Sequence, residues 1–271
     1  LSDLDEAERN QLFSRLQERM PAVWDAVRLG LEDESVVVVP SVTLDPTAPG
    51  AGSLSQAFEE RLLFLLLLLR QPWLRMIYVT SMPIKPSIVE YYLALLPGVI
   101  PSHAMARLSL LSVGDSSPGP VGAKLLDRPR MLSKIAAMIP NRQRCHLIPY
   151  STTALERDIA LTLGIPMFAA DPRLAQLGSK TGCRRLFAEE GVQHPLGAED
   201  LHSFDDVTDA IMKMLEERPS IDEVIVKLNE GVSGAGNALV DLRGIADTAG
   251  SDRRSEVAQR VRAMQLESPT T

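Results

Sequence analysis

The stretch VIVKLNEGVSGAGNALV, residues 224–240, places Lys227 at the end of one apolar run and a glycine-rich segment before the next. The glycines permit positive φ and let main-chain N–H groups approach an anion closely. Familiar phosphate loops lead into a helix, whereas this segment leads into NALVDL (237–242), which is typical of a strand. The sequence therefore predicts a β-hairpin whose tip could close over phosphates. The plainer alternative is a glycine turn with an edge lysine in solvent.

A second lysine, Lys180, lies in LGSKTGCRRLF (177–187), at the start of a predicted helix. The helix macrodipole disfavours a cation at this end, so the position indicates an anionic partner for the ammonium group. A solvated helix end is the alternative. This helix is predicted to end at Gly191, a second helix covers 203–218 and stops before Pro219, and a third covers 256–266 after the hairpin.

The first half of the chain alternates apolar runs with helical patterns. Runs of strand length stand at 35–41, 76–81, 107–113, 146–151 and 165–170. Strands that are apolar throughout and alternate with helices predict a parallel sheet covered on both faces. Residues ~30–175 are therefore predicted to form an α/β, Rossmann-like layer, and an amphipathic helix over 4–28 precedes it.

Two helical segments of this layer carry clear local signals. RLLFLLLLLR (61–70) is strongly apolar, but a helix that spans a bilayer needs about 20 residues, so the run predicts a buried helix that covers the sheet. In TALERDIALTLG (153–164), Thr153 and Glu156 have the spacing of a capping box, and Gly164 is placed as a C-terminal stop.

Composition and missing motifs exclude several classes of function. A net charge of −7 argues against broad binding to nucleic-acid phosphates. Two cysteines without paired spacing, and no visible signal peptide, favour the cytoplasm. No G-x-G-x-x-G opens a helix after the first strand, and no G-x-x-x-x-G-K-[ST] occurs. The first half therefore does not predict a dinucleotide or P-loop site.

Several motifs together resemble the ATP-grasp superfamily, and the layer before them resembles the pre-ATP-grasp domain. These motifs are GSK at 178–180, the EGV-x-x-P exit at 190–195, VIVK at 224–227 and EGVSGAGN at 230–237. Longer stretches resemble actinobacterial pheganomycin-type peptide ligases. They are EERLLFLLLLLR (59–70), YVTS (78–81), YYLALLPG (91–98), TTALERD (152–158) and KLNEGVSGAGNALVDLRG (227–244).

The resemblance implies an ATP-dependent carboxylate–amine ligase of peptide natural-product biosynthesis, which acts through an acyl-phosphate. Its implied partners are ATP, Mg²⁺, and amino-acid or peptide substrates that supply a carboxylate and an amine. It implies a pre-ATP-grasp domain over 1–175, a first ATP-grasp segment over 176–220 and a glycine-loop subdomain over 221–271. The metal ligands and a catalytic basic residue are expected beyond Thr271. The implied nucleotide-binding residues are Lys180, Lys227, Glu230, Gly231, Ser233, Gly234, Gly236 and Asn237.

Other interpretations stay open at this point. A nucleotide-binding or interaction module of the same fold could lack chemistry, and homo-oligomer formation is undecided. Gly114-Asp115-Ser116 resembles the serine block of GDS-type esterases, but such chemistry needs a histidine with an acid beside it. Cys145 and His146 are adjacent, and a strand sends adjacent side chains to opposite faces. His103 and His194 have no metal-ligand spacing around them.

Overall fold

The computed structural model describes residues 1, 4–29, 34–42, 51–229, 236–245, 248 and 250–265, without the side chains of 29, 51–55, 250 and 251. The chain divides into two compact units, Leu1–Pro172 and Arg173–Thr271. None of the helices in these ranges is both long enough and apolar enough to cross a membrane.

The first unit is built on a parallel sheet of four strands, in the order β3-β2-β1-β4. The strands are β1 (Glu34–Val39), β2 (Leu74–Thr80), β3 (Leu108–Ser112) and β4 (Cys145–Pro149). In the central strand β1, Val36 pairs with Met76 on one side and His146 on the other. Every residue of β1 is buried, because a central parallel strand is covered on both faces. The predicted α/β parallel layer is confirmed.

Helices cover both faces of this sheet. One core contains Val37 and Val39 of β1, and the other contains Val36 and Val38. The α-helices are α1 (Glu6–Gln17), α2 (Met20–Leu29), α3 (Ala51–Arg61), α4 (Pro86–Ala94), α5 (Pro101–Met105), α6 (Val121–Leu126), α7 (Pro129–Met138) and α8 (Ala154–Leu163). Short 3₁₀ helices run over Leu62–Arg70 and Arg142–Arg144. The capping box at Thr153 and the left-handed Gly164 bound α8 as predicted.

Two predicted elements of this unit were wrong in detail. The single helix over 4–28 is two helices, because Pro21 lacks an N–H group and its ring would clash with the carbonyl of Gln17, where α1 ends. The expected strand over 165–170 is reduced to one parallel bridge, Leu147 to Met167, on the edge strand β4.

The leucine-rich run is a 3₁₀ helix and not a fully buried α-helix. Its three-residue repeat stacks Leu63, Leu66 and Leu69 on one buried face. Phe64 and Leu67 are exposed. A run of like residues has no polar contrast that could specify a helical period, so the sequence could not predict this outcome.

The second unit contains a two-stranded antiparallel sheet of β5 (Glu223–Lys227) and β6 (Asn237–Asp241). Its α-helices are α9 (Lys180–Glu189), α10 (Phe204–Glu217) and α11 (Gly250–Ala263), and a 3₁₀ helix at Pro172–Gly178 precedes them. One face of the sheet packs on α10 and α11 through an apolar core that includes Ile211, Val240 and Val257. The subdivision at residue 220 stays a prediction.

Candidate functional site

The strand that carries Lys227 has one buried and one open face. Val224 and Val226 turn toward the core of the second unit, whereas Ile225 and Lys227 are exposed. Lys227 pairs with Asn237 across the hairpin. A lysine at the end of β5 is therefore compatible with the strand, because side chains alternate between the two faces and the ammonium group of Lys227 points away from the core.

An apolar pair lies beside this lysine on the open face. Ile225 is directly opposite Leu239, and their side chains are 59% and 55% exposed. Opposite residues of an antiparallel pair project from the same face of the sheet. The hairpin thus presents a flat apolar surface of two large aliphatic side chains next to a cation.

Gly236 stands directly before the return strand β6, and a glycine is required at this position for two reasons. Its φ is +78°, in the left-handed region, and a Cβ atom would lie 2.7 Å from Cδ1 of Leu228. Its carbonyl accepts a 2.9 Å hydrogen bond from Leu228 N–H. The predicted binding residues Glu230, Gly231, Ser233 and Gly234 lie outside the described residues.

The segment after Lys227 contacts the N-terminus of α9, where Lys180 lies. The main-chain N–H of Thr181 donates a 3.0 Å hydrogen bond to Oδ1 of Asn229. The N–H of Lys180 donates a 3.4 Å hydrogen bond to the main-chain oxygen of Asn229. Asn229 is two residues after Lys227, and two extended residues span about 7 Å. The backbone of Lys227 therefore lies close to that of Lys180. Sequence reasoning missed Asn229, because its partner Thr181 lies 48 positions away and Lys180 is one residue further.

The remaining N–H groups at the start of α9 also have protein acceptors. Ser179 N–H bonds the carbonyl of Gln176, and Gly182 N–H bonds Oγ of Ser179. A helix leaves four such donors without helical partners, and here all four are satisfied. The main-chain amides of this helix end therefore need no anion, and the expected anionic partner for the Lys180 ammonium group stays a prediction.

The GDS-like block forms a turn in the first unit. The carboxylate of Asp115 accepts hydrogen bonds from the side chain and N–H of Ser117 and pairs with Arg128 at 2.9 Å, and these contacts lower its pKa to about 2. Ser116 is exposed. No histidine in the described ranges is hydrogen bonded to Ser116, so the geometry gives no support to an esterase.

The neighbours Cys145 and His146 are not a catalytic pair. Burial raises the pKa of the Cys145 thiol to about 12 and lowers the pKa of the His146 imidazole to about 4. Cys145 packs in the core that contains Leu147, and alternation along β4 turns His146 to the opposite face. His194 Nδ1 lies 2.8 Å from the carbonyl of Val192. The described residues contain no group of three or more histidine, cysteine or acidic side chains placed to hold a metal ion.

A buried polar network lies at the carboxyl edge of the parallel sheet. Ser81, directly after β2, donates its hydroxyl hydrogen to Glu59 Oε1 at 2.6 Å and its N–H to Oε2 at 2.6 Å. Lys124 Nζ reaches Ser81 Oγ at 2.9 Å and the carbonyl of Asp115 at 3.0 Å. Burial raises the pKa of Glu59. Because Glu59, Ser81 and Lys124 are all buried, the network ties α3, β2 and α6 together.

Comparisons with known proteins relate the chain to one superfamily. The family model described as "IQCH-like, ATP-grasp" matches residues 172–267. The "IQ motif-containing protein H" of Danio rerio is 25% identical over 190 residues, which cover 64% of this chain and 18% of that protein. The "L-propargylglycine--L-glutamate ligase" of Streptantibioticus cattleyicolor is 25% identical over 195 residues, which cover 68% of this chain and 40% of the ligase.

The chain thus spans less than half the length of either relative. No solved structure has a significant match to it. The family match includes Lys180, Asn229 and the whole hairpin. The expected relationship to the ATP-grasp superfamily is confirmed.

Proposed function

We propose that this chain contributes the nucleotide site of an ATP-dependent carboxylate–amine ligase, which joins amino acids or peptides in the cytoplasm during natural-product biosynthesis. The observation that carries the proposal is the contact of Asn229 with the start of α9, since it joins the strand of Lys227 to the helix that begins at Lys180. The superfamily relationship and the similarity to a ligase support the reaction type.

The open face of the hairpin suits a nucleotide. The exposed pair of Ile225 and Leu239 offers an apolar surface to a purine ring, and Lys227 lies next to that pair with its ammonium group in solvent. Nucleotide sites combine such apolar walls with a few polar groups that fix orientation. We assign Lys180 and Lys227 to the phosphates. The roles of Glu230, Gly231, Ser233, Gly234, Gly236 and Asn237 stay predictions.

The lysines would act by charge neutralisation. Bound ATP supplies the phosphoryl group that activates a carboxylate, and an amine then displaces phosphate from the acyl group. Phosphoryl transfer depends mainly on positioning and on compensation of charge on the phosphate oxygens, and two lysines on neighbouring backbone segments would provide both. Mg²⁺ stays an expectation of the resemblance.

Calorimetric titration with MgATP tests the site directly. Lys227→Ala should weaken binding at least tenfold, about 1.4 kcal/mol. Lys213→Ala, which removes another exposed lysine of the second unit, should bind as the wild type does. Absence of binding to the wild type, or equal affinities for wild type and Lys227→Ala, would refute the proposed site.

A second candidate is a nucleotide-binding module without chemistry. It is favoured by the name of the matched family and of the Danio rerio relative, neither of which is an enzyme name. Phosphate release and hydroxamate formation with ATP, a panel of amino acids and hydroxylamine distinguish the two. A ligase would form hydroxamate with at least one amino acid, whereas a module would bind ATP and release no phosphate.

A further inference from the structure

We infer that Asn229 is a positioning residue of the nucleotide site, which holds Lys227 beside Lys180 by occupying the N-terminus of α9. The inference rests on the proposed function. Asn229 makes two bonds to α9, one through its side-chain oxygen to Thr181 N–H at 3.0 Å and one through its main-chain oxygen to Lys180 N–H at 3.4 Å. A side chain that reaches a distant helix end in this way fixes both the helix and the strand.

The chemistry of the contact explains why residue 229 is an asparagine. The first-turn N–H groups of a helix prefer an acceptor of the asparagine or aspartate type, which the side chain of Asn229 supplies from outside the helix. A carboxamide adds no negative charge beside the place assigned to phosphates, whereas a carboxylate would repel them. Asparagine therefore satisfies the helix without adding a negative charge beside Lys180 and Lys227.

The occupied helix end also defines which groups contact the ligand. The N–H groups of Ser179 and Gly182 are bonded within the turn, and those of Lys180 and Thr181 are bonded to Asn229. A phosphate can therefore gain the N–H groups of Lys180 and Thr181 only by displacing Asn229. Such a displacement would separate the two lysines, so we assign the phosphates to the side chains and not to the amides of α9.

A double-mutant cycle on MgATP affinity tests this role. Asn229→Ala should weaken binding about tenfold in the wild type, because the two lysines no longer act together. In the Lys227→Ala background the same change should cost less than about twofold, since there is no lysine left to position; coupling of this kind is what such a cycle measures. Gln193→Ala, which removes an exposed carboxamide of the same unit, should have no effect.

The outcomes separate this inference from the proposed function. If the wild type does not bind MgATP, or Lys227→Ala binds equally well, the proposed function fails. If Lys227→Ala weakens binding and Asn229→Ala does not, or if the two losses simply add, the proposed site stands and the role of Asn229 is overturned.

Amide exchange in the wild type covers the case in which Asn229→Ala does not fold. The Thr181 N–H should be protected from exchange without nucleotide, and it should stay protected when MgATP is added, because Asn229 remains its acceptor. Rapid exchange without nucleotide would contradict the contact. A large shift of the Thr181 amide signal toward that of a phosphate-bonded amide on addition of MgATP would show that the ligand displaces Asn229.

Discussion

Acid should destabilise the first unit through one buried histidine. His146 on β4 is 3% exposed, its Nδ1 has no hydrogen-bond partner among the described residues, and burial lowers its pKa from 6.5 to about 4. Between these two values the imidazole of His146 is largely protonated in the unfolded chain and largely neutral in the folded protein. Stability from this group is therefore complete above pH 6.5 and is lost as the pH falls toward 4.

The size of the effect follows from the two pKa values. With 6.5 for the unfolded chain and about 4 for the folded protein, the free energy of unfolding falls by about 2 kcal/mol between pH 8 and pH 5, and by about 3 kcal/mol below pH 4. A domain is stable by about 5–15 kcal/mol. The loss from one imidazole is therefore a substantial fraction of the stability of a typical domain.

Tryptophan fluorescence reports this loss selectively. Both tryptophans, Trp24 and Trp73, lie in the first unit, and the ring of Trp24 stacks at 5.0 Å on Phe168, which in turn contacts His146. Urea unfolding at pH 8, 7, 6 and 5 should show the decrease for the wild type and for His103→Leu, which removes an exposed imidazole. The decrease should be absent in a folded His146→Leu protein. An unchanged pH dependence in His146→Leu would refute the argument.

Two substitutions test the packing around the sites. Gly182→Ala would place a Cβ atom 1.8 Å from the carbonyl oxygen of Gln176. The free energy of unfolding of the second unit should therefore fall by about 2 kcal/mol, measured by urea unfolding and circular dichroism. Gly178→Ala, with no atom within 4 Å of its Cβ position, is the control, and an equal loss there would contradict the prediction. Lys124→Met removes the buried ammonium group of the network of Glu59, Ser81 and Lys124, and it should cost about 3 kcal/mol in urea unfolding followed by tryptophan fluorescence. Lys134→Met, at an exposed position, should cost nothing measurable. Equal stability of the two variants would show that the network contributes little.

The fold of the first unit was predictable where sequence patterns are local and unambiguous. The four consecutive valines of β1, Val36 to Val39, indicate a strand buried on both faces, and the cap residues of α8 fix both of its ends. The leucine run 62–69 carries no polar contrast, so its 3₁₀ form depends on the packing of the rest of the unit. Local patterns thus predicted the elements, and tertiary contacts decided their exact form.

The site was only half predictable for the same reason. Lys180 and Lys227 stand out because a charge at a helix start, or at the end of an apolar strand, conflicts with local propensity. Asn229 conflicts with nothing in its own segment, and its role exists only through contact with Thr181. A residue that joins two elements leaves no trace in either sequence pattern, and only the folded structure reveals it.

At the N-terminus of α9 all four N–H groups have protein acceptors, and this changes how the charge of the region should be understood. In many phosphate sites a helix offers free N–H groups to the anion, and the lysine beside them is an addition. Here Asn229 uses two of those donors and the Ser179 turn uses the others. Under the proposed function, the helix end would serve to assemble the two lysines. If the proposed function holds, Lys227 would have to supply in electrostatic attraction what the amides of α9 no longer offer, and its side chain, together with Asn229, would be the most sensitive point of the site.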